Sequence, residues 1–293
     1  MSVGLAVRNE RDCVSRCIES VLSQDWTDLE LVICDNVSDD GTIEILQQYA
    51  RMDRRVSVAV NPVNIGSQPN FGRVLELSRG TLFRWISGDD WLEPGALSAG
   101  VRALERHPEA IGVTNGFTRH SAGSAPCYED YRGEFPSSPD ASRRFERMLW
   151  FYHQNATKYD PIYGIFRREQ LMRSGRLRAC ERADWLLSAE LALLGPIIHI
   201  HENLANRSWR APTARERAAF RRRLDAANGE RIKTSATRLS RELGELTRSV
   251  DLTEAQRRRC RRALRRFWAL EVVRLRRQRL ADTVRRALPG SAA

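Results

Sequence analysis

Short apolar runs alternate with amphipathic stretches over the first third of the chain. Each run is typical of a buried strand, and the runs are residues 3–7, 29–35, 56–60 and 81–87. The stretches between them place apolar residues three or four positions apart, which predicts helices around residues 11–23, 43–50, 71–75 and 97–104. Strands and helices that alternate in this way predict βαβ units, and therefore an α/β fold with a mostly parallel sheet flanked by helices.

Polar clusters follow two of these strands. Asp35 ends the second run, and Asp89 and Asp90 follow the fourth in the sequence "ISGDDW". Ligands of parallel α/β sheets bind outside the carboxyl ends of the strands, so both clusters fall where a ligand is expected. Adjacent carboxylates repel each other and are most easily held where a cation neutralises them. A solvated turn is the alternative for the aspartate pair.

The loop after the first strand narrows the class of ligand. It reads "GLAVRNERD", which contains neither the G-x-G-x-x-G pattern of dinucleotide-binding folds nor a glycine- and lysine-containing phosphate loop. Acids beside a phosphate ligand require a divalent cation between them, and hard oxygen ligands suit Mg²⁺ or Mn²⁺. The sequence therefore predicts a divalent-cation site whose coordination shell is completed by diphosphate oxygens.

Charge is unevenly divided along the 293 residues. Residues 211–293 hold 23 Arg and Lys against nine acids, a balance of +14, and the totals of 48 and 37 leave 25 against 28, or −3, for residues 1–210. This division predicts a near-neutral globular body and an arginine-rich helical tail. The six cysteines are scattered, and no secretory signal or membrane-spanning stretch is visible, so we expect a reduced, cytoplasmic protein.

A resemblance to family-two, GT-A-fold glycosyltransferases lies in "VGLAVRNERDCVSRCIESVLSQDWTDLELVICDNVSDDGTIEIL" (3–46) and in "NPVNIGSQPNFGRVLELSRGTLFRWISGDDWLEPGAL" (61–97). It is dense over residues 3–105 and looser to about residue 210. The resemblance implies a Rossmann-like GT-A sheet, the fold of nucleotide-diphospho-sugar transferases. It also implies inverting transfer of a sugar from a nucleotide diphospho-sugar to an acceptor hydroxyl, in bacterial-type polysaccharide or glycolipid synthesis.

The resemblance implies a donor-binding set in the first half of the chain. Its members are Ala6, Arg8, Glu10, Asp35, Asn64, Asn70 and Asp89. Ala6 and Arg8 stand where the family usually has Pro and Tyr beside the nucleotide base, and an arginine plane can still stack on a base. Asp35 corresponds to the aspartate that contacts the base in relatives, while Asn36 replaces the second acid of that pair.

The family's D-x-D motif implies the cation ligands. Ser87 stands at its first acidic position, Asp89 at its third, and Asp90 follows directly. Serine is a poor direct metal ligand, although it can reach a ribose or a metal-bound water. The resemblance therefore assigns Asp90 and Asp89 to the divalent cation and the ribose.

The acceptor half reads "YGIFRREQLMRSGRLRACERADWLLSAELALLG" (163–195), and Asp184 falls where the family's catalytic base lies. We expect Asp184 at the start of a buried helix that Gly195 closes, where the helix dipole favours the ionised carboxylate. Glu181 is the rival base. A helix N-cap that touches no substrate is the third interpretation of Asp184.

Two further features leave alternatives open. His199 and His201 alternate on a predicted strand and face one side of it, as metal ligands or as a half-exposed pair. Residues 118–140 are rich in Ser, Pro and Gly without clear periodicity, which predicts either a mobile lid or a surface loop.

The tail carries an apolar stripe along a helix that is otherwise covered by arginines. The stripe comprises Cys260, Leu264, Phe267, Trp268, Val272 and Leu275. A basic amphipathic helix with aromatic residues predicts docking on an anionic membrane that holds a lipid-linked acceptor. The stripe could equally pack on the body or on a second subunit, and nucleic-acid binding is disfavoured because no reader motif is present.

These patterns predict a catalytic domain over residues 1–210, with a donor half (1–105) and an acceptor half (106–210), and a tail over residues 211–293. We expect as partners a nucleotide diphospho-sugar, a carbohydrate or lipid-linked acceptor, an anionic membrane surface at the inner face of the cell membrane, and a second copy of the chain. Two other classes stay open: a non-catalytic sugar-nucleotide-binding or assembly protein of the same fold, and a nucleotidyltransferase.

Overall fold

The computed structural model describes residues 1–131, 133–155, 161–175, 177, 182–209 and 236–287. The strands are β1 (Ser2–Val7), β2 (Glu30–Asp35), β3 (Val56–Val60), β4 (Leu82–Ile86), β5 (Trp91–Leu92), β6 (Gly112–Ser121), β7 (Cys127–Glu129), β8 (Ile165–Arg167) and β9 (Ile197–Trp209). The helices are α1 (Val14–Leu22), α2 (Thr42–Met52), α3 (Ser67–Leu77), α4 (Ala96–Arg106), α5 (Ala141–Asn155), α6 (Arg168–Arg173), α7 (Ala183–Leu194), α8 (Ala236–Ser249) and α9 (Glu254–Ala287), with a 3₁₀ turn at Pro161–Tyr163.

The first four strands form the parallel half of the sheet, in the order β3-β2-β1-β4. They coincide with the four apolar runs of the sequence. β1, β2 and β4 are apolar at nearly every position because helices cover both of their faces, whereas β3 is an edge strand and is only partly buried. Their carboxyl ends lie along one edge, so the loops that follow Val7, Asp35, Val60 and Ile86 converge there. The predicted α/β fold is confirmed. The prediction of a mostly parallel sheet holds for this half alone, because the described strands form four parallel and four antiparallel pairs in all.

The second half extends this sheet in the order β8-β6-β9-β5. β8 runs antiparallel between β4 and β6, and β6 pairs in parallel with β9 over its whole length, with register shifts at Asn115/Gly116 and Gly116/Phe117. The first part of the stretch 118–140 is therefore regular, because β6 continues to Ser121 and β7 folds back on it. The ring of Tyr131 stacks on Phe151, which anchors the middle of this stretch.

Two hydrophobic cores cover the faces of the sheet. Helices α1, α2 and α4 bury one face, and α3, α5 and α7 bury the other. Gly195 ends α7 as expected, but it does so in an extended conformation rather than a left-handed one. Its position is fixed by close packing, since a Cβ atom there would lie 2.2 Å from Ile111 Cγ2.

The described part of the tail packs on the body. Helices α8 and α9 lie against α5 and α7, and Phe267 is buried with its ring centroid 6.3 Å from that of Trp185. Cys260 and Leu264 join the same core, so packing on the body explains most of the apolar stripe. Trp268 remains 43% exposed. The boundary near residue 210 lies outside the described residues, and a separable tail stays a prediction.

The described helices include none that is long and apolar enough to cross a bilayer.

Candidate active site

A tight turn after β4 presents the two aspartates. The amide of Asp90 donates to the carbonyl of Ser87 over 3.1 Å, and the buried thiol of Cys17 lies 3.3 Å from the same oxygen. Position 88 in this turn suits glycine, because a Cβ atom there would lie only 3.1 Å from Glu10 Cγ. The turn is therefore fixed from below by α1 and approached from the side by Glu10.

The end of β9 clamps this turn from the opposite direction. Nε of Arg207 lies 3.4 Å from Oδ2 of Asp90, and the amide of Ser208 donates to Oδ1 of the same carboxylate over 3.0 Å. The hydroxyl of Ser208 also donates to the carbonyl oxygen of Asp89 over 2.8 Å. The positive charge that contacts Asp90 in this structure is thus an arginine near the end of β9, more than 100 residues along the chain from the turn.

Burial makes the carboxylates of the turn reluctant to ionise. It raises the pKa of Asp90 to about 6, with Asp89 adding to the shift and Arg207 opposing it. Burial also raises the pKa of Asp89, against the charges of Arg207 and Arg16. The pKa of Glu10 is raised by burial and by Asp89, although the thiol of Cys13 stabilises its charged form. A further positive charge would stabilise all three groups.

These carboxylates suit a hard divalent cation. Glu10, Asp89 and Asp90 offer oxygen ligands of the kind that Mg²⁺ and Mn²⁺ prefer. In the described part of the chain, these three carboxylates do not bring one oxygen each within 4.8 Å of the other two. Asp90 is engaged by Arg207 and Ser208, whereas Asp89 is only partly buried. The donor set fits a cation bound mainly through Asp89 and completed by ligand oxygens.

Asp184 lies in the first turn of α7, as the sequence predicts. Arg182 occupies the N-cap position with φ of 65°, so the interpretation of Asp184 as the cap is wrong. Burial raises the pKa of the Asp184 carboxyl, while the amide of Trp185 and the charges of Arg182 and Arg207 oppose the shift. The rival base Glu181 lies outside the described residues.

Arg207 connects the two halves of the site. Its charge acts on Asp89, Asp90 and Asp184. Its guanidinium lies 4.1 Å from the centroid of the Tyr163 ring, and the hydroxyl of Tyr163 is 3.0 Å from Oγ of Ser87. Sequence reasoning missed both residues, since Arg207 is one arginine among many and only the antiparallel pairing of β5 with β9, which sets Trp91 opposite Asn206, brings it to the turn.

Asp35 is completely buried at the end of β2. Its Oδ1 accepts from the amide of Ser38 over 2.9 Å, and its Oδ2 accepts from the hydroxyl of the same serine. The structure therefore places this carboxylate beneath the loop that follows β2. Its contact with a nucleotide base stays a prediction.

An amide network ties this loop to the next strand and to α3. Asn36 Nδ2 donates to Asn64 Oδ1 over 2.8 Å, and Asn61 Nδ2 donates to Asn70 Oδ1 over the same distance. Asn70 Nδ2 in turn donates to the carbonyl of Cys34 over 2.9 Å. In this arrangement Asn70 is a buried brace, whereas Asn64 is exposed at the rim of the edge.

Two residues with positive φ face each other across the edge, next to Ala6 and Arg8. Asn9 has φ of 58° and Val37 has φ of 62°, a costly conformation for a β-branched side chain. The amide of Asn9 donates to Ser38 Oγ over 2.9 Å, and Nε of Arg8 lies 3.5 Å from the carbonyl of Val37. Ala6 and Arg8 are only partly buried, so each keeps some exposed surface.

The arrangement resembles solved transferase structures in its fold. The chain superposes with a TM-score of 0.65 and 16% identity on Staphylococcus aureus TarS 1-349 in complex with UDP-GlcNAc, covering 92% of this chain and 72% of that one. It superposes with a TM-score of 0.57 and 16% identity on the Pyrobaculum calidifontis mannosyltransferase PcManGT in complex with GDP-Man and Mn²⁺, covering 99% and 76% of the two chains. At this level of identity, the likeness concerns the fold.

The sequence model of Glycosyl transferase family 2 matches residues 2–175, which is more than half of the chain. The chain belongs to this family. The family resemblance and the GT-A fold expected from the sequence are thereby confirmed.

Curated relatives of this family 2 protein match about a third of its length. It is 38% identical over 98 residues to chondroitin synthase of Escherichia coli, which spans 33% of this chain and 14% of that protein. It is also 32% identical over 94 residues to EpsH of Bacillus subtilis (strain 168), which is named as a glycosyltransferase. That match spans 32% of this chain and 27% of EpsH. The chain thus covers about a quarter or less of the length of these relatives.

Proposed function

We propose that this family 2 protein is an inverting glycosyltransferase that moves a sugar from a nucleotide diphospho-sugar to an acceptor hydroxyl. The observation that supports it most is Arg207, whose charge acts both on the aspartate pair after β4 and on Asp184 at the start of α7. A donor site needs positive charge where a diphosphate leaves, and it needs a base within reach of the attacking hydroxyl.

The comparisons support the class of donor. TarS has been solved with UDP-GlcNAc and PcManGT with GDP-Man, and both are nucleotide diphospho-sugars. Chondroitin synthase and the teichuronic acid biosynthesis glycosyltransferase TuaG of Bacillus subtilis are relatives, which supports a polysaccharide or glycolipid acceptor. The substitution of Ala6 and Arg8 for the family's usual residues leaves the nucleobase to experiment.

The reaction is a single displacement. The acceptor oxygen forms a bond to the anomeric carbon while the bond from that carbon to the diphosphate oxygen breaks, and the electron pair leaves with the diphosphate. Asp184 takes the proton of the acceptor hydroxyl, and its raised pKa makes it the stronger base for this purpose. Attack from the face opposite the leaving group inverts the anomeric configuration.

Arg207 and the turn serve the leaving group. The guanidinium is held edge-on by Asp90 and face-on by Tyr163, so it is oriented before the donor arrives. Asp89, with Glu10 and Asp90 beside it, would hold a divalent cation such as Mn²⁺ or Mg²⁺. When bound, that cation supplies charge neutralisation to the diphosphate.

The proposal is tested on the full chain by measuring hydrolysis and transfer of UDP-, GDP- and dTDP-sugars in the presence of Mn²⁺. With the donor so identified, Asp184→Asn keeps the size of the side chain but cannot accept the proton. We expect donor binding to persist while turnover falls by roughly 10²- to 10⁴-fold, the contribution of general-base catalysis.

Glu105→Gln is the matched control, because Glu105 is an exposed acid on α4 away from the turn. It should retain full turnover. Near-normal transfer by Asp184→Asn, together with loss of transfer in Glu181→Gln, would move the base to Glu181. Failure of every donor to bind would contradict the proposed function itself.

A further inference from the structure

A second cluster of ligating side chains lies on the other half of the sheet. His199 and His201 at the start of β9 both point at Asp130, which follows β7. Nε2 of His199 is 2.6 Å from Oδ1 of Asp130, and Nδ1 of His201 is 2.9 Å from Oδ2 of the same carboxylate. One ligand atom from each residue lies within 4.8 Å of the other two, a span that a metal ion with bonds of about 2 Å can bridge.

A second layer of contacts orients His199. Its Nδ1 is 2.8 Å from Oγ1 of Thr114 on the neighbouring strand, which leaves Nε2 directed at Asp130. Phe135 stacks on the imidazole with ring centroids 4.5 Å apart. Metal-bound histidines characteristically use their second nitrogen in this way, because the outer hydrogen bond fixes the ring and its tautomer.

Exposure differs sharply across the cluster. The side chain of His199 is 2% exposed, that of Asp130 is 22% exposed and that of His201 is 65% exposed. An ion held by these three groups would therefore be anchored on a buried imidazole and remain open to water on the side of His201. Three protein ligands with an open fourth position are the usual arrangement for zinc outside fully closed structural sites.

The cluster is separate from the candidate active site. His199 and Arg207 pair with Thr114 and Arg119, which are five residues apart on β6, and a strand rises about 3.3 Å per residue, so the two lie about 17 Å apart along the sheet. The ligand sets also differ in chemistry. The turn after β4 offers carboxylates, which suit Mg²⁺ and Mn²⁺, whereas two imidazoles and one carboxylate suit borderline ions such as Zn²⁺.

We propose that Asp130, His199 and His201 form a binding site for one zinc-class transition-metal ion, distinct from the donor cation. The ion takes the place of the two hydrogen bonds that now join the imidazoles to the carboxylate. It ties the β6–β7 hairpin, through Asp130, to β9 beside the register shift at Asn115/Gly116. The site thereby stabilises the segment that leads from the hairpin to α5.

The test is metal uptake by the chelator-stripped full chain, compared with His201→Ala. His201 is the most exposed of the three residues, so its replacement leaves the core intact. We expect the wild-type chain to bind one more equivalent of Zn²⁺ than this variant at micromolar concentration, whatever the turn after β4 binds. Co²⁺ should give visible ligand-field bands that depend on His201 and show no thiolate charge transfer, which excludes the cysteines.

Two further variants sharpen the result. Asp130→Asn should lose the same equivalent of Zn²⁺, and His107→Ala, at an exposed histidine beyond α4, should keep it. Zn²⁺ should also raise the melting temperature of the wild-type chain and not that of His201→Ala. Equal Zn²⁺ uptake by wild type and His201→Ala, or Co²⁺ bands that do not depend on His201, would leave the cluster as a hydrogen-bonded triad and overturn the proposal.

Discussion

The planar guanidinium of Arg207 makes two different contacts. The edge of the guanidinium meets the Asp90 carboxylate, and its face lies over the Tyr163 ring. A lysine could supply the charge but neither the planar edge nor the stacking face, since its ammonium is a compact, strongly hydrated point charge. The residue therefore combines neutralisation of a desolvated acid with a fixed orientation toward the place where a diphosphate would bind.

We expect Arg207→Gln to lower turnover by about 10²- to 10³-fold, the effect of removing one preorganised stabilising group. Arg207→Lys should fall between this variant and wild type, because it restores the charge without the stacking. The measurement is steady-state turnover with the donor found in the screen. Arg106→Gln, at the exposed end of α4, is the control and should be unaffected. Equal activity of Arg207→Gln and the control would remove Arg207 from the mechanism.

The two aspartates in the turn after β4 lead us to expect that turnover depends on a divalent cation. Asp89→Asn keeps the shape of the side chain and removes its charge, so Mn²⁺ affinity should fall and turnover should be lost at ordinary Mn²⁺ concentrations. Asp90→Asn should also lose turnover, since Asp90 holds Arg207 and Ser208 as well as any cation. Circular dichroism checks that both variants are folded. Full activity of the wild-type chain in excess EDTA would show that Arg207 alone neutralises the diphosphate.

Between elements, a buried ion cluster joins the tail to the helix that carries the candidate base. Glu271 on α9 is 1% exposed and accepts from Arg182, 3.1 Å away, and from Arg274, 2.8 Å away. Arg182 is also the residue that begins α7, directly before the turn that holds Asp184. The tail therefore supports the start of α7 through a charge contact, in addition to the packing of Phe267 on Trp185.

Removing one partner of a buried ion pair leaves the other charge uncompensated, and such a change costs about 3–5 kcal/mol. We expect Glu271→Gln to lower the free energy of unfolding by about this amount at pH 7, measured by urea denaturation. Glu245→Gln, an exposed acid on α8, is the control. A loss no larger than that of the control would mean that packing alone fixes α9 on the body.

The difference in the free energy of unfolding between wild type and Glu271→Gln should also depend on pH. Burial disfavours the charged form of Glu271, but Arg274 and Arg182 outweigh it and hold the pKa of this carboxyl below its ordinary value of 4.5. A lowered pKa adds stability above pH 4.5 that is lost as the pH falls through the native value. The difference between wild type and Glu271→Gln should therefore be constant near neutrality and shrink below pH 4.5. If the stability difference stayed the same in acid, the effect of Glu271→Gln would come from the shape of the side chain and not from its charge.

At the scale of the whole molecule, positive charge is concentrated on the outer surface of α9. Seven arginines of the described part of this helix are exposed: Arg258, Arg261, Arg262, Arg265, Arg266, Arg276 and Arg277. Arg261, Arg262 and Arg265 follow Arg258 by three, four and seven positions, so these four arginines share one face of the helix. Since the apolar stripe is largely buried on the body, attachment to a membrane would depend on these charges, with Trp268 beside them.

We predict that this arginine face holds the protein on anionic membranes near a lipid-linked acceptor. Each basic residue contributes about 1 kcal/mol at such a surface, so replacing the four aligned arginines with Gln should weaken binding by about 10³-fold. Vesicle sedimentation measures this, with binding to anionic but not neutral vesicles and loss of binding in high salt.

The control replaces four exposed arginines of the body, Arg51, Arg54, Arg102 and Arg106, with Gln. It changes the net charge by the same amount and should bind anionic vesicles like wild type. Equal recovery of the wild-type protein in the supernatant with both kinds of vesicle would contradict the prediction. The arginine face would then serve only to keep the packed tail in water.

The sequence by itself determined the parallel half of the molecule and part of its site. Strands β1, β2 and β4 were readable because burial on both faces makes each one a continuous apolar run, and their ends located Asp35, Asp89 and Asp90. The edge strand β3 is less buried and was readable from its valines. Only the tertiary structure placed Arg207 beside Asp90 and Asp130 beside two histidines. The first contact depends on the pairing of β5 with β9, where Trp91 lies opposite Asn206. The second depends on the pairing of β6 with both β7 and β9, where the register shifts beside Asn115. These registers are set by packing between segments far apart in the chain, and no local pattern of residues encodes them.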